Sequence, residues 1–156
     1  MVASVSSTYV DLAESAFSSP IAMKAWFATA AIVLGIVQIS TGARIFGKLQ
    51  RLVPIRRPYV NRVHRWSGRL AFLCTLPVAF HCIFILGFQS ASTRVLVHSI
   101  AGSFVYGIFV VKVFFVHDPR HPRWTLPVVG GSMFAVLATL WLTSSLWYFT
   151  HVRFGF

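Results

Sequence analysis

Residues 70–117 read LAFLCTLPVAFHCIFILGFQSASTRVLVHSIAGSFVYGIFVVKVFFVH, two apolar blocks joined by the polar link Gln89–Thr93. Each block is about 20 residues or longer, enough helix to cover a hydrocarbon core of roughly 30 Å. Hydrocarbon offers the backbone no water to bond, so runs of this length fold as helices that satisfy themselves. A link this short makes the two helices antiparallel neighbours. Positions equidistant from the link then share a depth, so His81 lies level with His98 and His64 level with His117.

Outward from this hairpin the same reading finds two more spans. The four cover 23–42, 63–88, 95–116 and 126–149. A chain of 156 residues that is 56% hydrophobic, with only three acidic side chains, has too little polar surface for a soluble domain. The expectation is an all-α integral membrane four-helix bundle. Residues 1–20 form an external N-terminal segment and residues 21–156 the transmembrane domain. Pro77, one turn before His81, removes a backbone hydrogen bond and should bend or loosen its helix. Pro127 falls near the start of the last span, where a missing donor costs little. Trp124, Trp141, Trp147 and Tyr148 read as interfacial anchors and packing residues.

The net charge of +11 is a topology signal once its position is considered. Of the 14 Lys and Arg residues, all but Lys24, Arg94 and Arg153 fall on one face of the bundle, most of them between Ala43 and Arg69. The positive-inside rule puts that loop in the cytoplasm and both termini outside, in a multi-pass plasma (inner) membrane protein. The same cations attract anionic lipid headgroups, and no nucleic acid partner is expected. Met1–Pro20 has no basic start and no apolar run of its own, so it does not read as a signal peptide. Part of it is expected to lie along the interface as a short helix. Cys74 and Cys82 fall about 12 Å apart along one helix, too far to bridge. The absence of Cys-x-x-Cys-His excludes covalent c-type haem attachment.

Neutral imidazoles opposed across two helices supply the axial ligands that a b-type haem needs. His81 and His98 form the outer candidate pair, and His64 and His117 the inner one. The competing reading of the outer pair is an interhelical hydrogen bond, ring to ring or to Ser99 or Thr75. An interfacial histidine such as His64 or His117 can simply be hydrated. Gly102 and Gly68 each follow a candidate ligand by four residues, removing bulk from the ligand's own helix face. Arg94 is placed to pair with the propionates of an outer haem, and Arg65 and Arg69 with those of an inner one, as is Lys112 if it snorkels. Marking the interface is the alternative role for each. His121 and His151 read as surface residues. The rise from His64 to His81 is roughly 26 Å, so two haems would form a wire across the membrane. One haem and two remain equally open at this point.

The string His64-Arg65-Trp66-Ser67-Gly68-Arg69 resembles the His-Arg-Trp-x-Gly-Arg element of ferric-reductase-like membrane domains, and more loosely the cytochrome b561 group. The wider stretch from Ala43 to Gly131, with Arg44-Ile45-Phe46-Gly47-Lys48, is similar to an uncharacterised four-helix family of actinobacterial membrane proteins related to them. The resemblance implies a helical bundle holding haem b between paired histidines, with His64, His81 and His98 among the ligands. In ferric-reductase-like domains the next histidine on that helix comes about four turns on. Here Val78 holds that place and His81 follows one turn later, which changes ring direction as well as depth. The functional expectation is a b-type cytochrome relaying electrons between a quinol or other membrane donor and a partner protein, within or beside a respiratory complex. It would be an electron-transfer subunit rather than a stand-alone enzyme. The alternative is a haem-free accessory or assembly subunit of a larger respiratory membrane complex. No paired carboxylates, nucleophile–base set or phosphate loop supports hydrolase or transferase chemistry.

Overall fold

A computed structural model of the chain describes residues 2–51, 55–118 and 120–153, with the side chains of residues 2–7 and of Leu12 left aside. Among the described residues the fold is all-α, with no strand. Helix α1 spans Val2–Ala16 and α2 spans Pro20–Ile45. Helix α3 spans Arg57–Phe80 and continues as a π-helical stretch, His81–Leu86. Helix α4 spans Thr93–His117. Helix α5 spans Thr125–Trp141 and is prolonged by π-helical turns at Leu142–Leu146 and Phe149–Arg153. Four of these helices, α2 to α5, are long and apolar enough to cross a membrane.

Local chemistry explains where the helices begin and end. Ser19 caps α2 by accepting a hydrogen bond from the Ala22 amide at 3.1 Å, and Pro20 follows at a position that needs no donor. Ser92 caps α4 in the same way, through the Val95 amide. Gly87 ends α3 at φ +65°, a conformation open to glycine and strained for other residues. The link to α4 is pinned at Gln89, whose amide donates to Ser99 Oγ while its carbonyl accepts from the same hydroxyl. Helix α3 begins at Arg57, ahead of the expected 63, because Pro58 at its first turn starts the helix within the basic segment.

Helix α2 is the hub of the bundle. It buries small residues on two sides, Ala22 and Ala25 near its start and Ala31 and Gly35 on the opposite side further along, which lets neighbouring backbones approach. A Cβ on Gly35 would meet Leu137 and Phe134 of α5 at 3.3 Å. Trp141 Nε1 donates to Thr29 Oγ1 at 2.9 Å across the same contact. Against α3, Gln38 Nε2 donates to Ser67 Oγ at 2.7 Å and also to the His64 carbonyl. Helix α4 packs on α5.

The two helices of the hairpin, α3 and α4, do not pack backbone to backbone. Aromatic side chains bridge them: Phe72 stacks on Phe109 with centroids 4.5 Å apart, and Tyr106 donates to Thr75 Oγ1 at 3.2 Å. The outward faces of the spans carry large exposed hydrophobics, among them Phe84, Phe104, Val110 and Phe114. Such faces suit surrounding hydrocarbon and would be a liability in water. Helix α1 packs on α2 and lays Tyr9 against Phe80 and His81, with Tyr9–Phe80 centroids 5.1 Å apart.

Candidate functional site

The separation of α3 from α4 opens a cavity of about 710 Å³, backed by α2 and α5. Its body is lined by apolar groups such as Ala28, Val78, Ala79 and Leu137, and it is largely apolar. One imidazole, that of His98, faces it. Below it, around the Phe72–Phe109 stack, lies a separate void of only about 70 Å³.

His98 is oriented by a neighbour on α5. Its Nδ1 lies 2.9 Å from Thr143 Oγ1. The Thr143 hydroxyl donates to the Thr139 carbonyl at 2.6 Å, so its single proton is already committed to its own helix. The proton in the His98–Thr143 bond therefore sits on Nδ1. Nε2 is left as the basic nitrogen of a ring that lines the cavity. A ring held by its Nδ1–H with a basic Nε2 is the arrangement found at histidines that bind metals.

The other walls fit this centre. A Cβ on Gly102 would lie 3.8 Å from Leu140, an ordinary contact, so helix packing does not require glycine there. The missing side chain leaves room in the cavity beside His98. Arg94, at the start of α4, lines the cavity as well. It is held by donation to the Thr143 carbonyl and by its guanidinium lying 4.2 Å from the Trp147 ring centroid.

The chain matches one family of unknown function, DUF6529, over residues 2–156. It belongs to that family. No curated protein and no solved structure matches it.

In this DUF6529 protein the remaining candidate residues take up different settings. His81 is buried at 5% exposure, with its ring 5.7 Å from that of Tyr9. Neither of its nitrogens has a hydrogen-bond partner, and neither has the Tyr9 hydroxyl. The cavity wall at this turn is formed by Cys82 and Ile83, so His81 does not share the cavity with His98. The hairpin symmetry sets height; the direction a ring takes depends on how α3 is rotated about its axis. That rotation follows from packing and from the widened turn after Pro77, which begins at His81.

His64 repeats the His98 arrangement one helix pair away. Its Nδ1 lies 2.9 Å from Thr41 Oγ1, whose proton goes to the Val37 carbonyl at 2.6 Å. The ring lies over Gly42 of α2, whose Cβ would stand 3.6 Å from His64 Cε1. The space at Gly68 is taken by Gln38, whose Oε1 would stand 3.1 Å from a Cβ placed there. His117 is exposed and bonds back to the Val113 carbonyl at 2.8 Å, so the structure does not join it to His64. Arg65 and Arg69 are exposed, and Arg69 covers Trp66 at 5.1 Å. Lys112 lines the smaller void. His121 packs edge-on to Phe115, and His151 stacks on Trp147. Cys74 and Cys82 are free thiols.

Three contributors escaped sequence reasoning. Thr143 and Thr41 carry no signal beyond being hydroxyls at suitable depth. Lys24 also lines the large cavity, and it had a visible mark: a lone cation one turn inside an apolar span.

Proposed function

We propose that the protein is a multi-pass membrane b-type cytochrome that holds one haem b in the cavity between α3 and α4. The observation that carries this reading is His98: its Nε2 is the basic nitrogen, its Nδ1 proton is directed at Thr143, and it faces a cavity of about 710 Å³. That volume lies within the roughly 300–1,000 Å³ of cofactor pockets. Bound there, haem would supply one-electron transfer between a membrane donor such as a quinol and a partner protein, on its own or in a respiratory complex.

The chain's own residues hold and orient. Thr143 keeps the Nδ1 proton on His98 and so keeps Nε2 available to iron. Gly102 leaves the space beside it open, and the Tyr106–Thr75 bond with the Phe72–Phe109 stack closes the floor. His81, the expected ligand from α3, is turned to Tyr9 and does not line the cavity, so His98 is the one protein ligand this reading takes from the structure. His64 does not line the large cavity and His117 is exposed, which supports one haem rather than two. The clustered basic residues support cytoplasmic placement of the long loop and external termini.

A second reading is favoured by the same threonines. His64–Thr41 and His98–Thr143 are both interhelical bonds, which a haem-free accessory or assembly subunit would use to hold its helices together. The detergent-solubilised protein, expressed with adequate haem, separates the two. The cytochrome shows a Soret band, a sharp reduced α-band and one haem per chain, and His98→Ala abolishes all of them. A colourless preparation, or full haem content in a folded His98→Ala variant, overturns the proposal.

A further inference from the structure

The end of the large cavity that faces the starts of α2 and α4 carries positive charge with nothing to balance it. Lys24 stands one turn into α2, and Arg94 is the second residue of α4. Both line the cavity. Cations at helix N-termini add to the positive end of the helix dipole, so each sits at the unfavourable end of its helix. Among the described residues neither cation has an ion-pair partner. The chain has three acidic residues, and Asp11 and Glu14 on α1 are exposed. A second observation points the same way. Ser145, on α5, lines this cavity, is 1% exposed, and its hydroxyl has no partner among the described residues. Buried hydroxyls are nearly always bonded, so an unmet one in the wall of the cavity that also holds Lys24 and Arg94, two cations without a counter-ion among the described residues, marks the place of an absent acceptor.

We infer that this end of the cavity is a carboxylate subsite, formed by Lys24, Arg94 and Ser145, for the acidic end of an amphiphile whose apolar body fills the cavity. The inference rests on the cavity being a ligand site and is independent of iron. Carboxylates on a large apolar body have two sources here: the propionates of a porphyrin, and a fatty acid from the membrane. Salt bridges in a site walled by hydrocarbon are screened less than at a surface, so neutralising the carboxylate should show in affinity.

The test uses detergent-solubilised protein from haem-starved cells and two probe pairs. Metal-free protoporphyrin IX is compared with its dimethyl ester, and palmitate with methyl palmitate. Quenching of the cavity-lining Trp141 and Trp147 follows porphyrin binding, and competition against it follows the lipids. A free acid should bind at least about tenfold more tightly than its ester, equivalent to about 1.4 kcal/mol. Lys24→Met and Arg94→Met should each erode that ratio, and Lys24→Arg should preserve it. Discrimination for protoporphyrin alone assigns the subsite to propionates; discrimination for palmitate alone assigns it to lipid. Equal binding of acid and ester, no binding of either acid, or a ratio untouched by Lys24→Met and Arg94→Met overturns the inference. Failure of the haem reading shows separately, as protoporphyrin discrimination retained while added haem gives no His98-dependent Soret shift.

Discussion

Replacing Thr143 with Val removes one hydroxyl while keeping the shape of the side chain. In the folded protein that hydroxyl accepts the His98 Nδ1 proton at 2.9 Å and donates its own proton to the Thr139 carbonyl. Val takes away the hydroxyl acceptor and leaves the ring only the Leu140 carbonyl, against a cost of about 1–3 kcal/mol for a wholly unmet buried donor. His98 is half-buried, so the lower end of that range is expected. The effect on cofactor binding follows from a different cause: the ring loses the bond that fixes its tautomer and direction. Outer-shell partners of this kind are typically worth about 10–100-fold in affinity. Thr41→Val is the matched control, because Thr41 makes the same bond to His64, which does not line the cavity. Haem titration of both variants by Soret absorbance, beside thermal unfolding of each, gives the comparison. Similar destabilisation is expected in the two, with haem affinity lowered in Thr143→Val alone. Equal loss of affinity in both, or unchanged affinity in a destabilised Thr143→Val, would refute the assignment of the cavity to His98.

The two glycines beside the candidate ligands should behave in opposite ways. Gly102→Ala meets Leu140 at an ordinary 3.8 Å, so thermal stability is expected to hold while haem occupancy per chain falls. Gly68→Ala presses on Gln38 at 3.1 Å, a side chain already held by Ser67 and the His64 carbonyl, so about 1 kcal/mol of stability should be lost with haem occupancy retained. Burial against α3 pushes the Tyr9 phenol above its ordinary value near 10, so its neutral form favours docked α1. Because the docked state has the higher pKa, that contribution is complete below about pH 10 and fades as pH rises through the raised value. Protection of α1 amides, taken relative to the base-catalysed exchange rate of the unfolded chain at each pH, should therefore fall at strongly alkaline pH, and Tyr9→Phe, which removes an unpartnered hydroxyl, should abolish the fall without loosening α1 at neutral pH.

Hydropathy and length were sufficient to place the spans, because a backbone in hydrocarbon has only the helix as a self-contained solution. The structure sets the helix starts, capped at Ser19 and Ser92, with Pro20 and Pro58 in the first turns of α2 and α3. Reading the stretch before residue 63 as loop was too cautious: charged residues lower hydropathy without lowering helix propensity, and α3 begins at Arg57. For the candidate site, the direction of each ring was obscure in the sequence. His98, Gly102 and Arg94 all line the cavity, whereas His81, one residue from the cavity-lining Cys82, is turned to Tyr9. At about 100° per residue on a helix, a single position separates facing a cavity from facing a neighbouring helix.

Composition and residue order alone were enough for four apolar helices, since these depend on local hydrogen bonding and on distance along one chain. Packing between helices decided the rest. Which helices touch depends on the small residues buried along α2; where the void lies follows from the separation of α3 and α4; and which imidazole nitrogen carries the proton follows from a threonine 45 residues away in the chain. Rotation about a helix axis is set by contacts with other helices, and no single segment carries that information.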